Sequence, residues 1–174
     1  EIEGLASSTS SQERKQGLHE VLDSLPDIRI VADVVANWQR QRAFDVMDSI
    51  SPCIANEPVD IVFAYNDRMA IGARQAFEKA QKAGKLDLSS MPLFIGVDAL
   101  LDDTLGIGRV EDGTLEASFL YQTGGDKAIH TAACILSHLP YERDQVFETC
   151  LVNRGNVHLM RIQANHIKEQ EGKI

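Results

Sequence analysis

Cysteine is scarce: Cys53, Cys134 and Cys150 are the only three in 174 residues, and they stand far apart. An odd, dispersed set has neither the CxxC spacing of a zinc site nor the density of a disulfide scaffold, so all three are expected as small buried core residues. Long hydrophobic runs are missing too. No stretch approaches the roughly 18 apolar residues that a spanning helix needs. Basic charge is in deficit, with 17 Lys and Arg against 26 Asp and Glu and a net charge of -9. The basic residues are scattered, the longest local cluster being Glu13-Arg14-Lys15, and phosphate-bearing partners demand a basic face, so no nucleic acid or anionic lipid is expected. The first ten residues lack a basic n-region and an apolar h-region, so no signal peptide is expected in them. Catalytic signatures are absent as well: there is no GxSxG elbow, no HExxH and no P-loop. Gly106-Ile107-Gly108 lacks a third glycine, and His19, His130, His138, His158 and His166 are nowhere paired at ligand spacing. No catalytic residue, metal or cofactor is expected.

What is present is an alternation of short apolar runs and longer amphipathic segments in an ordinary soluble composition, 44% hydrophobic and 25% charged. Ile2 to Leu5 opens the chain, and a polar loop follows from Ala6 to Ser11. Leu18, Val21, Leu22 and Leu25 then fall on one helical face, stopped by Pro26. Ile28 to Ala32 reads as a strand. Asn37 or Trp38 opens a second helix with Ala43, Phe44, Met47 and Ile50 on one stripe, ended near Pro52. Ile61 to Tyr65 and Leu93 to Val97 are continuous apolar runs that suit parallel strands covered on both faces. Between them lies a helix capped by Asn66-Asp67 and closed by Gly84. Ile107 to Val110 and Leu115 to Leu120 read as short strands around the turn Glu111-Asp112-Gly113. A helix from about Asp126 to Ser137 and a strand from Val146 to Val152 follow.

This order predicts an α/β fold, a parallel sheet with right-handed crossovers and helices on both faces. Ligands of such sheets sit beyond the carboxyl ends of the strands. Four places there carry polar or aromatic groups: the Ser/Thr loop running to Arg14, the stretch Ala36 to Trp38, Asn66-Asp67, and Asp98. Singly, Asn66 reads equally as a helix cap and Asp98 as a strand-end turn residue. A lone Trp38 is more often partial core and a lone Arg14 a solvated helix residue. At successive strand ends they form a set: a guanidinium, an amide and a carboxylate that hold hydroxyls, and an aromatic face for the apolar side of a sugar ring.

The string Ile61 to Ala73 resembles the VFAxNDxMAxGA signature of type I periplasmic sugar-binding proteins and their repressor relatives. Phe94-Ile95-Gly96-Val97-Asp98 resembles the next strand of that family with its ligand-contacting Asp. Gly4 through Gly17 is similar to the segment that opens its second lobe. The resemblance implies that Arg14 grips sugar hydroxyls, that Trp38 stacks on the ring, and that Asn66 and Asp98 bind hydroxyls from the second lobe. Tyr121 falls near a position that is often Gln in ribose-type binders, and that departure bears on the ligand's identity. Tyr121 to Ile129 resembles the YxTGGDKAI segment of sensor domains in Bacteroides-type hybrid two-component histidine kinases.

That likeness implies a periplasmic sensor of a sugar-like solute, with residues 1–155 as the second lobe and 122–146 packing on a first lobe. Residues 156–174 are a connecting helix with a Met160, Ile167, Ile174 seam, in a homodimer whose kinase part lies elsewhere. The alternatives are the effector domain of a LacI-type regulator and a transport solute-binding protein. The exiting tail helix favours the sensor.

Overall fold

A computed structural model describes residues 1–54, 59–86 and 91–171. Among the described residues, six strands and six helices follow one another. They are β1 (Ile2–Glu3), α1 (Thr9–Leu22), β2 (Val34–Val35), α2 (Arg40–Ile54), β3 (Ile61–Phe63), α3 (Asp67–Lys82), β4 (Leu93–Asp98), α4 (Ile107–Glu111), β5 (Ala117–Leu120), α5 (Gly125–Leu136), β6 (Leu151–Asn153) and α6 (Val157–Glu171).

β3, β4, β5 and β6 form one sheet in that order, and β1 pairs with β2 in a second. A single parallel bridge, Ile2 to Ala64, aligns the two sheets side by side. Every pairing is parallel except β5 with β6, which is antiparallel. The all-parallel expectation is thereby corrected to a mixed sheet with one antiparallel strand. β6 starts beside the carboxyl end of β5, the end at which the chain left for α5, and therefore runs antiparallel to it.

Helices cover both faces, as side-chain parity along β4 shows. Phe94 points to α3, where its ring meets Phe77 edge-on at 5.7 Å. Ile95 and Val97 point the other way, toward α1. The α3 side is tightly built. Ala70, Ala73, Ala76 and Ala80 are buried, and small side chains let α2 lie close. At Gly72 an added Cβ would sit 2.2 Å from the Arg40 carbonyl oxygen. On the other face α1 is tied down by polar contacts. Lys15 pairs with Glu3 and, at 2.9 Å, with Asp33, while His19 Nε2 meets the Glu1 carboxylate at 2.8 Å.

Local signals account for most boundaries. Asn66 caps α3 by accepting from the Met69 amide at 2.9 Å, and Gly84 ends that helix at φ +64°, where glycine carries no steric cost. Ser8 caps α1 from inside the expected polar loop, accepting from the Ser11 amide at 3.3 Å, so the helix starts within that stretch. Asn37 and Trp38 have positive φ and cannot open α2, which starts at Arg40.

Three expected strands change. Ile28 to Ala32 is not a strand: pairing with β1 falls at Val34–Val35, and Ile28 is 53% exposed. Ile107 to Val110 is helix α4, with Ile107 and Val110 fully buried. β6 is confined to Leu151–Asn153, and Val146 is exposed. The cysteines also depart from expectation. Cys150, just before β6, is exposed, and Cys134 is half-buried on α5, which has no buried residue; the Cys53 side chain lies outside the described residues. At the C-terminus α6 lies against α4, with Val157 buried and Arg161 paired to Glu111 and Asp103. Met160 packs on the core; the side chains of Ile167 and Ile174 lie outside the described residues.

The close α2–α3 approach gives a test. Gly72→Val should destabilise the chain by about 1–3 kcal/mol, the usual cost of overpacking, measured as a lower urea midpoint with unchanged slope.

Candidate functional site

Because β1 to β5 run parallel, their carboxyl ends lie along one edge of the fold, and each turn there delivers a polar or aromatic residue. β1 leads through Gly4 into α1, which carries Arg14. β2 leads to Trp38, β3 to Asn66, β4 ends on Asp98, and β5 leads directly to Tyr121.

Arg14 is the hub. Its Nη1 donates to the Tyr65 carbonyl at 2.7 Å. Its guanidinium carbon lies 5.3 Å from the Trp38 ring centre and 5.1 Å from that of Tyr121. The planar cation is thus held between two aromatic faces, each contact worth roughly 0.5–1 kcal/mol or more when desolvated. Trp38 in turn lies over Gly4, where a Cβ would come within 2.2 Å of the indole; only glycine leaves room for that ring. Asn66 is buried. Its Oδ1 is occupied by the α3 cap, and its Nδ2 reaches the Trp38 carbonyl at a long 3.4 Å. One hydrogen of that amide is left beyond the Trp38 contact.

Asp98 is the acidic member. Burial raises its carboxyl above the ordinary aspartate value, and the charges of Arg14 and Arg68 oppose that rise. Arg68, on the first turn of α3, is exposed and was not foreseen as part of this edge. Backbone strain gathers in the same place. Of the five non-glycine residues with positive φ among the described residues, four are Asn37 (51°), Trp38 (66°), Asp98 (121°) and Ala99 (45°). Such conformations cost of order 1–3 kcal/mol each and cluster where function holds them. The structure therefore brings Arg14, Trp38 and Tyr121 into one stack, with Asp98 within electrostatic reach and Asn66 behind Trp38.

The profile of the periplasmic binding protein domain family matches residues 1–138 of this sequence. The chain belongs to that family.

Relatives of this periplasmic binding protein domain include a D-apiose import binding protein of Actinobacillus succinogenes, 34% identical over 119 residues, which are 68% of this chain and 36% of that protein. The ribose import binding protein RbsB of Escherichia coli is 31% identical over 138 residues, 78% of this chain and 42% of that protein. Among solved structures, the fructose binding periplasmic domain of the hybrid two component system BT1754 is similar with a TM-score of 0.87 and 38% identity. That match covers 99% of this chain and 55% of the other. The chain thus spans 36%, 42% and 55% of the lengths of these three. The family binds solutes for transport or sensing and is not catalytic. Among the described residues, no group of three or more His, Cys, Asp or Glu is arranged to hold a metal ion.

What holds the strained Asp98–Ala99 turn in this periplasmic binding protein domain is Asp67, which the sequence offered as part of a helix cap and, with Asn66, as one of the polar places at the strand ends. Asp67 is 1% exposed. One carboxyl oxygen accepts from the Ala99 amide at 2.9 Å, the other from the Ser118 hydroxyl at 2.6 Å. Ser118 Oγ also accepts from the Ala99 amide, at 3.0 Å. Gly96 makes the space: a Cβ there would lie 2.2 Å from Asp67 Oδ1. A buried serine inside β5 was the one sequence signal for this lock, since a polar residue at a strand's inward position requires a partner.

Burial pushes the Asp67 carboxyl up to about 7, with the nearby Asp98 charge adding to the rise and the Ser118 and Ala99 hydrogen bonds opposing it. In the unfolded chain the same group loses its proton near pH 4. A raised folded value means its contribution to stability is complete below about pH 4 and is lost as pH rises through about 7. Urea unfolding from pH 4.5 to 8 should show wild-type stability falling by up to about 1.4 kcal/mol per pH unit from this one proton. In Asp67→Asn that component should vanish. Parallel curves for the two proteins would contradict the assignment.

Proposed function

We propose that this chain is the second lobe of an extracytoplasmic sensor domain of a hybrid two-component histidine kinase, and that it grips a sugar-like solute with Arg14, Trp38, Asn66, Asp98 and Tyr121. The observation that carries the reading is the meeting of these groups at the carboxyl ends of parallel strands. Arg14 sits between two aromatic rings, and Asp98 lies in a strained turn beside it. Polyols need planar donors and acceptors around an apolar ring face, and this edge supplies both. The similarity to the fructose binding domain of a hybrid two component system, at 38% identity, supports the sensor role over the transport role.

Residues 1–155 form the lobe, and 156–174 are the connecting segment of a periplasmic domain, helical as α6 (Val157–Glu171) with 172–174 outside the described residues. The segment 122–146 packs on a first lobe carried by the rest of a longer polypeptide. In support, α5 has no buried residue, and Ile129 and Leu136 are 74% and 81% exposed. An apolar helix face left in water is a surface awaiting a partner. With half of the cleft, this chain by itself holds only half of the ligand's hydrogen bonds. Closure of the second half over the ligand shifts the population of lobe arrangements, and α6 carries that shift toward the kinase as part of a homodimer.

Calorimetry on the two-lobed sensor tests the reading, using a panel of D-fructose, D-ribose, D-allose and D-apiose. One member should bind, and Asp98→Asn and Arg14→Ala should each weaken it by about 10–100-fold, the loss of a charged hydrogen bond of about 1.5–3 kcal/mol. The 174-residue chain alone should bind the same sugar weakly or not at all. Tight binding by the chain alone, or unchanged affinity in both variants, would overturn the assignment.

A further inference from the structure

The helix α6 is not fastened to the lobe at its root alone. At its start the Asn156 side chain accepts from the Asn153 amide and donates to the Leu151 carbonyl, each at 2.8 Å, which ties it to β6. Just over a turn later comes a second attachment of a different kind. Half-buried Arg161 reaches across to α4 and to the loop ahead of it. Its Nε donates to one Glu111 carboxyl oxygen at 3.0 Å, one Nη donates to the other, and the second Nη pairs with Asp103. A single guanidinium thus grips two carboxylates that lie 50 and 58 residues back along the chain. A fork of this geometry fixes direction as well as distance, which a point charge such as lysine does not.

What Arg161 grips is the continuation of the ligand edge. β4 ends on Asp98, and the chain runs from the strained Asp98–Ala99 turn directly into residues 100–106 and then α4. This stretch is bonded to itself throughout. The Leu100 carbonyl accepts from the Asp102 amide at 2.8 Å and from the Ile107 amide at 3.0 Å, and the Asp102 carbonyl accepts from the Gly108 amide at 3.1 Å. The Asp102 carboxylate accepts from the Thr104 and Leu105 amides at 2.7 and 3.0 Å. Backbones touch where the loop folds over α4. An added Cβ at Gly106 would lie 2.3 Å from the Leu100 carbonyl oxygen, and one at Gly108 would lie 2.1 Å from that of Asp103. Ala99, Ile107 and Val110 are fully buried. Elements packed and bonded in this way shift as units rather than bend.

We propose that Arg161 is a positioning residue for signal output: it clamps α6 to the 99–106 loop and α4, so that a displacement of the Asp98–Ala99 turn reaches the connecting helix through this ion-pair network. One end of the body is the Ala99 amide, held by Asp67 and Ser118 at 2.9 and 3.0 Å. The other end is the pair of carboxylates on Arg161. A solute that pulls on Asp98 acts at the first end, and α6 is fastened to the second. A route through β5 and β6 also leads to α6, but it starts from the ladder of the sheet rather than from the strained turn. The direction of the signal rests on the sensor role proposed above. The coupling is a property of this chain, so it is tested without a ligand.

Hydrogen exchange on four proteins makes the test: wild type, Asp67→Asn, Arg161→Gln and the double variant. Asp67→Asn loosens the Ala99 amide without touching α4 or α6. With Arg161 present it should speed exchange at 160–166 by roughly 3–10-fold, and by more than at the sheet amides 94–96, which report global opening. In the Arg161→Gln background the same change should still free the Ala99 amide but leave 160–166 within about twofold. If Asp67→Asn does not fold, Ser118→Ala loosens the same amide and takes its place. An α6 that ignores the turn while Arg161 is present would overturn the proposal. So would an α6 that still responds after Arg161→Gln, or an equal rise at all amides. A failure of sugar binding in the calorimetry above would sink the ligand reading and leave this coupling standing.

Discussion

The candidate site depends on one buried carboxylate. Asp67 lies under the carboxyl ends of β4 and β5 and holds the Ala99 amide and the Ser118 hydroxyl together. Asp98 and Ala99 can therefore keep backbone conformations that an unsupported turn would abandon at a cost of order 1–3 kcal/mol per residue. Gly96 is required because nothing larger leaves space for that carboxylate. The arrangement lies beneath the strand-end edge: Asp67 is buried, and it fixes the backbone on which Asp98 stands. Its raised value follows from the same placement, since a carboxyl out of water and near Asp98 resists ionising.

Above that layer, Arg14 joins elements from three parts of the chain. Tyr65 at the end of β3, Trp38 after β2 and Tyr121 after β5 all touch it. A guanidinium has five donors in a fixed plane, and stacking between two rings holds that plane in position before any ligand arrives. Preorganisation of this kind spares the entropy of ordering a long side chain on binding. The same stack ties the site to the crossover that starts at Tyr121.

Much of this was legible in the sequence where the signal is local. The Asn66 cap, the glycine that ends α3, and the apolar runs of β3 and β4 are set by residues close to one another. Where tertiary contacts decide, the sequence misled. Ile107 to Val110 is an apolar run too short to tell strand from helix by periodicity. It becomes α4 because the Ile107 amide bonds to the Leu100 carbonyl and Asp102 ties the Thr104 and Leu105 amides just before it. Cys134 has the composition of a core residue, but it lies on α5, which has no buried residue. Asp67 and Ser118 were invisible as a pair because 51 residues separate them. Asp67 stands in the Ile61 to Ala73 string, but nothing in that string points to Ser118.

The central claim is that a polyol sits against the Arg14–Trp38–Tyr121 stack and hydrogen-bonds Asp98. A crystal structure of the two-lobed sensor, with a sugar that stabilises it in a thermal-shift screen, tests this most directly. The account predicts the ring lying on the Trp38 face, with hydroxyls within hydrogen-bond distance of the Arg14 guanidinium, the Asn66 amide and the Asp98 carboxylate. A sugar bound elsewhere, with Arg14 still bonded only to Tyr65 and no hydroxyl at Asp98, would contradict it.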